Sequence, residues 1–215
     1  MNSPVLLIVL PFAGALLALL GKVLPGKRAW SILSTLPLLG MGALLVRFWP
    51  DVQGGEAILR TVGGWDAPIA IPIGLDGFAW LSSALIVVIS SMVALAAFSK
   101  NRYGPTFFFF LLLLIAGMEA VILTRDLFTM FVAFEIVAIA AYVLIAFDQT
   151  DAGLLASLKY LMLSSVGILF FLLGVFIIYR EFGTLSLDGI AAALEDSRVV
   201  GPTATAPTPR GWARD

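Results

Sequence analysis

The sequence contains no cysteine and no histidine. Their absence removes disulfides, thiolate and imidazole metal sites, Ser-His and Cys-His catalysis, and haem ligation by either residue. Charge is scarce as well. Only 13% of the 215 residues are charged, against about 25% in an ordinary soluble domain. The 13 Lys and Arg are matched by 14 Asp and Glu, so there is no basic footprint for nucleic acid. No Gly-rich phosphate loop and no internal repeat stand out. No cofactor or metal is expected, and no catalytic chemistry is legible. What the chain has in excess is apolar surface: 60% hydrophobic residues and a mean hydropathy of +1.04. A chain this apolar lacks the polar residues to cover a soluble fold. It reads as an all-α, polytopic transmembrane helix bundle whose first partner is the lipid bilayer.

A helix needs roughly 20 apolar residues to cross the hydrocarbon core. Six stretches are expected to span, at about 4–20, 30–46, 75–98, 106–124, 127–147 and 154–179, within a bundle covering 1–180. The first has no preceding Lys or Arg and no following cleavage site, so it does not read as a signal peptide. The connection from Trp49 to Ala70, with Gly54-Gly55, Gly63-Gly64 and Pro68, reads as extended or turn-rich surface chain. The Phe107–Phe110 run reads as lipid contact. Residues 181–196 read as a turn and an interfacial amphipathic segment, and the Pro/Thr/Ala/Arg tail 197–215 as disordered.

Lys22, Lys27, Arg28, Lys100, Arg102 and Lys159 fall on one side of such a bundle, and Arg47, Arg60, Arg125 and Arg180 on the other. The positive-inside rule then predicts a multi-pass inner-membrane protein with its N-terminus outside.

Ionisable groups at membrane depth carry the functional information, because each costs about 2.5–3.5 kcal/mol to insert at a helix centre. Glu135, in MFVAFEIVAIAAY, is the strongest case. At about 1.5 Å per residue from Asp126 it lies roughly 14 Å deep, beyond the reach of snorkelling. It must face protein or water, where a carboxylate can load and release a proton. The competing role is a neutral Glu that only bonds a neighbouring helix. Glu119, in the fourth span, is expected roughly 5 Å shallower by the same rise. It is a second candidate proton stop, with an interfacial, water-exposed Glu or a partner for Arg125 as alternatives. Lys159 is a candidate partner that modulates Glu135, or an anchor that snorkels to the cytoplasmic interface. Ser164 and Ser165 can bond across the bundle, hold water, or bond their own helix. Asp76 and Asp126 precede apolar turns and read as N-caps.

The segment AGMEAVILTRDLFTMFVAFEIVAIAAYVLIAF, Ala116 to Phe147, resembles the fourth and fifth helices of the antiporter-like subunits of respiratory complex I. It is most similar to the D-type subunit of multisubunit sodium/proton antiporters, where an AGM-x-x-x-x-LT-x-DLF-x-x-F-x-x-FE run is typical. Gly63-Gly64-Trp65 with APIAIPIGLDG resembles the loop into the third helix. Leu158 to Leu194 resembles the sixth helix and its following interfacial segment.

The resemblance implies a fourteen-helix fold built on two inverted five-helix repeats. It implies an essential glutamate at Glu135 that pairs with a lysine on a seventh helix. It implies other membrane subunits as partners, with protons and sodium as candidate ions. Any NADH or quinone chemistry would belong to those subunits. Two positions depart from the family: 119 is usually neutral there, and a small residue commonly stands at 125. The six-helix chain lacks the seventh helix and its lysine, and so reads as a truncated or split member of the family. The expected function is a membrane subunit of a cation/proton antiporter or proton-pumping redox complex with Glu135 as the proton-loading site. The alternative is a non-transporting assembly or scaffold fragment.

Overall fold

Each helix begins and ends where the local chemistry changes. The computed structural model describes residues 3–23, 27–55, 57–62, 71–100 and 103–200. Its helices are α1 (Leu6–Val23), α2 (Lys27–Gln53), α3 (Gly77–Lys100), α4 (Pro105–Leu123), α5 (Leu127–Ile145), α6 (Asp151–Phe182) and α7 (Leu187–Val200). Between α2 and α3 lie β1 (Ile58–Val62) and β2 (Ile71–Leu75).

Asp76 Oδ1 accepts from the Ala79 amide at 2.8 Å and caps α3. Pro105 opens α4, where its missing N–H would have had no helical partner. Asp126 Oδ1 accepts from the Thr129 amide at 2.7 Å and caps α5. Thr150 Oγ1 accepts from Gly153 and caps α6. Gly183, at φ 67°, takes the left-handed conformation that ends α6.

Four helices are long and apolar enough to cross a membrane by length and composition among the described residues: Gly77–Ser99, α4, α5 and α6. Leu6–Gly21 is a shorter apolar helix. Several expected boundaries move. The second helix runs on to Gln53, past Arg47 and Asp51. Leu75 belongs to β2, so the third helix starts at Gly77. The expected surface loop holds an antiparallel hairpin pairing Ile58 with Leu75 and Val62 with Ile71. Residues 197–200 continue α7, although the tail is expected to be disordered from 197. The rest of that tail and Gly63–Ala70 lie outside the described residues.

The core is made by α1 to α4 and the hairpin. Leu7, Met41, Phe48, Leu75, Leu112 and Ile115 are among its fully buried side chains. Here the Phe-rich run differs from expectation: Phe108 is 1% exposed and stacks on Phe98 at 4.6 Å. Tyr103, Phe107 and Phe147 form a ring cluster joining the start of α4 to the end of α5. In contrast, α5 lies on α4 and α6 lies on α5, with little else covering them.

At the opposite end of the bundle the backbone forms a ladder. Arg125 N donates to Pro72 O at 2.9 Å, Leu127 N to Leu185 O at 3.0 Å, and Leu187 N to Arg125 O at 2.9 Å. The ladder ties β2, the α4–α5 turn and the α6–α7 turn together. Arg125 adds a bidentate pair with Asp188, at 2.6 and 3.0 Å. The hydrogen bond to Asp188 holds the guanidinium pKa above its ordinary value, against a smaller opposing effect of burial. A raised basic group stabilises below its unfolded value and loses that contribution only as pH rises through its folded one. The arginine end of the pair is therefore insensitive to pH across the neutral range. Because the pair is partly solvated, it contributes at most about 1 kcal/mol. Asp188→Asn should speed hydrogen exchange of the α7 amides by no more than about fivefold. A much larger loss would mean that the ion pair, not the backbone ladder, docks α7.

Candidate functional site

Two small-residue contacts position α5. On α4, Gly117 meets Val137: a Cβ at this glycine would lie 2.8 Å from Val137 Cγ2 and 3.2 Å from the Val137 amide nitrogen. On the other side, Ser157 Oγ of α6 donates to the Tyr142 carbonyl of α5 at 2.7 Å. Both neighbours run antiparallel to α5, so each contact fixes a register. Stepping seven residues along each helix from Tyr142 and Ser157 brings Glu135 level with Ser164.

That level holds a cavity of about 350 Å³ lined by Glu135, Ala138, Tyr160, Ser164, Gly167 and Phe171, among others. Glu135 is half-buried there. Its polar neighbours, Tyr160 and Ser164, are both on α6. Phe134 and Phe171 meet edge to face at 5.5 Å and line the same cavity. Toward the α5–α6 turn a second cavity of about 690 Å³ is lined by Thr106, Tyr142, Gln149, Leu154 and Ser157. The polar positions 157, 160 and 164 therefore follow one face of α6 from this vestibule to Glu135.

Glu119 is elsewhere. It is 0% exposed, and its Oε2 accepts from Ser83 Oγ of α3 at 2.7 Å. It is neither interfacial nor paired with Arg125, which bonds Asp188 instead. Nor is it shallower than Glu135. The Gly117–Val137 contact of antiparallel helices sets residue 119 level with residue 135. At about 100° per residue, each carboxyl points some 200° away from that contact on its own helix. The two glutamates stand back to back, with the α4–α5 contact between them.

Lys159 is exposed on α6 and outside the Glu135 cavity. Ser165 is likewise exposed. The three ionisable groups singled out in the sequence are thus not one cluster. Among the described residues no group of His, Cys, Asp and Glu is arranged to hold a metal ion.

Sequence reasoning does not point to Ser83, Tyr160, Tyr142 or Ser157 at these sites. The spacing 157–164 repeats every seven residues, which is a usable signal, but only the α5–α6 register gives it a partner. Ser83 carries no such signal.

The family model described as NADH:quinone oxidoreductase/Mrp antiporter, TM, matches residues 124–205. The D-type subunit of the Na(+)/H(+) antiporter of Alkalihalophilus pseudofirmus is 32% identical over 206 residues, covering 94% of this chain and 41% of the relative. Among solved structures, a chain of the archaeal membrane-bound sulfane sulfur reductase superposes with TM-score 0.82 at 32% identity, over 91% of this chain and 41% of that one. A chain of the Mrp complex from Dietzia sp. DQ12-45-1b shares the fold, with TM-score 0.74 at 23% identity over 90% of this chain and 39% of that one. The chain spans about two fifths of the length of the relatives it matches. With its apolar helices, the DLF…FE run from Asp126 to Glu135 and these likenesses, the chain is homologous to the antiporter-like membrane subunits found in Mrp-type sodium/proton antiporters and complex I-like respiratory complexes.

Proposed function

We propose that this chain is part of a membrane subunit that moves protons in a cation/proton antiporter or redox-driven pump, with Glu135 as the proton-loading group. One observation carries the reading: a carboxyl group midway along an apolar helix opens onto a cavity that it shares with the Tyr160 and Ser164 side chains. Such a group is costly to keep unless it is used. Loading and release need a route for the proton. Tyr160, Ser164 and a water held between them and Glu135 in the cavity of about 350 Å³ would supply hydrogen-bonding steps toward the α5–α6 turn.

Lys159 acts on Glu135 from outside the cavity. Its exposed position on α6 suits a modulating role and not direct proton exchange with Glu135. The relatives assemble as subunits of multisubunit antiporters and respiratory complexes, which supports other membrane subunits as this chain's partners. Sodium is the candidate counter-ion, on the name of the antiporter relative. Redox chemistry, where present, belongs to the partners.

The native chain has no cysteine, so one introduced thiol is unambiguous. Ser164→Cys in the assembled complex should retain most transport. It should lose at least about tenfold when a small, water-borne thiol reagent fills the cavity beside Glu135. The readout is cation-driven pH change in everted vesicles, with the unsubstituted complex treated identically. Complete modification of Ser164→Cys without loss of transport would favour the scaffold role.

A further inference from the structure

Glu119 is the only fully buried ionisable side chain among the described residues. Its Oε2 has one partner, Ser83 Oγ at 2.7 Å. Its Oε1 has none and is closed off from solvent. No cation compensates it from the described parts of the elements packed on α4. The only charged residue of α1 is Lys22, at the far end of that helix. The only one in α3 is Lys100, 17 residues beyond Ser83, or about 25 Å along the helix. On α2, Arg47 and Asp51 are exposed, and Lys27 and Arg28 lie at its opposite end. On α5, Glu135 faces away into its own cavity.

A carboxylate in this setting would be a buried charge with a single hydrogen bond, which costs several kcal/mol. The uncharged acid fits the same atoms. Its O–H on Oε2 can donate to Ser83 Oγ at the same heavy-atom distance, because the serine hydroxyl rotates to accept. The oxygen left over is then a neutral carbonyl, whose lack of a partner costs far less than that of a charge. A metal ion needs several oxygen ligands and contact with Oε1, and that atom is sealed.

We propose that Glu119 is a second proton-binding site that conducts nothing: a carboxylic acid kept protonated, whose hydrogen bond with Ser83 ties α3 to α4 behind the wall of the Glu135 cavity. The proton has no way out. Oε1 is sealed from solvent, no titratable group among the described residues faces it, and the α4–α5 contact stands between it and Glu135. Glu119 is thus a positioning residue. It holds the helix whose Gly117 face locates α5, and the transport route passes only on the α6 side. The inference rests on the assignment of Glu135 as the transported-proton site for the last point alone.

The test is infrared difference spectroscopy of the full chain in lipid nanodiscs with carbon-13-labelled glutamate. A protonated-carboxyl C=O band should vanish in Glu119→Gln and persist without loss between about pH 5 and pH 6, where free glutamate is ionised. Ser83→Ala, which keeps Glu119, should move that band to the frequency of a non-bonded carboxyl. In the assembled complex Glu119→Gln should keep transport within about twofold and leave its pH profile unmoved. A Glu119 band that titrates in that range, a band unmoved by Ser83→Ala, or a tenfold transport loss in a well-folded Glu119→Gln would overturn the proposal. Failure of the Glu135 assignment would appear in transport by Glu135 variants and would leave the Glu119 band where it is.

Discussion

Glu135→Gln should reduce coupled cation/proton exchange by the assembled complex by about two orders of magnitude, the scale on which loss of a proton-transferring group is usually felt. The amide keeps the shape of the side chain and its hydrogen-bonding reach, but it cannot take up a proton. Membrane abundance should stay at the parental level, since a neutral amide is no harder to bury at mid-helix than a carboxylate. Glu135→Asp should keep part of the activity. Its carboxylate withdraws by one methylene into a cavity of about 350 Å³, where water can bridge the gap to Tyr160 or Ser164. The measurement is a quenched-dye pH assay in everted vesicles, normalised to the amount of complex. Full exchange by Glu135→Gln would remove Glu135 from the proton's route.

Gly117→Val should be the most damaging change to the bundle. The new Cβ would stand 2.8 Å from Val137 Cγ2 and 3.2 Å from the Val137 amide nitrogen. A side chain can rotate, but the backbone nitrogen of a helix cannot yield without moving the helix. Overpacking of this kind costs about 1–3 kcal/mol, and the branched γ-methyls of valine add to it. Gly117→Ala should fall between the parent and Gly117→Val. Val137→Ala should restore part of the loss in Gly117→Ala, because it removes the nearer of the two clashing atoms. The readouts are the thermal transition of the purified chain in detergent and transport by the complex. Val137 lies two residues from Glu135, about 3 Å along the helix. A shift there displaces the carboxylate from Tyr160 and Ser164, so activity should fall faster than stability. Unchanged melting of Gly117→Val would mean that α4 and α5 do not meet at Gly117.

Much of the membrane architecture is readable from the chain. The third to sixth spans can be read because runs such as FFFFLLLLIAG have no soluble alternative, and two of their caps can be read because Asp76 and Asp126 precede the third and fifth. The β1–β2 pairing escapes because β1, ILRTV, is short and its partner β2 is not adjacent to it in sequence. Phe108 is misplaced because an aromatic facing lipid and one facing Phe98 look alike in sequence. In both cases the missing information is the neighbour.

For the candidate sites the division is sharper. Glu135 is evident from position alone: a charge nine residues into an apolar helix has only a few physical uses. Glu119 has the same chemical identity and nearly the same local context, yet one glutamate lines a cavity beside Tyr160 and Ser164 and the other is sealed against Ser83. Composition and hydropathy by themselves determined a membrane-spanning helical protein with ionisable groups at depth, because runs this apolar are stable only in hydrocarbon and a charge within one is deep by its position along the helix. Which carboxyl lines a cavity and which is sealed was decided by the tertiary structure. Two close contacts, Gly117 on Val137 and Ser157 on the Tyr142 carbonyl, set the rotation and register of α4, α5 and α6. Each carboxyl then points about 200° from the α4–α5 contact on its own helix, Glu135 into the cavity against α6 and Glu119 onto Ser83 of α3.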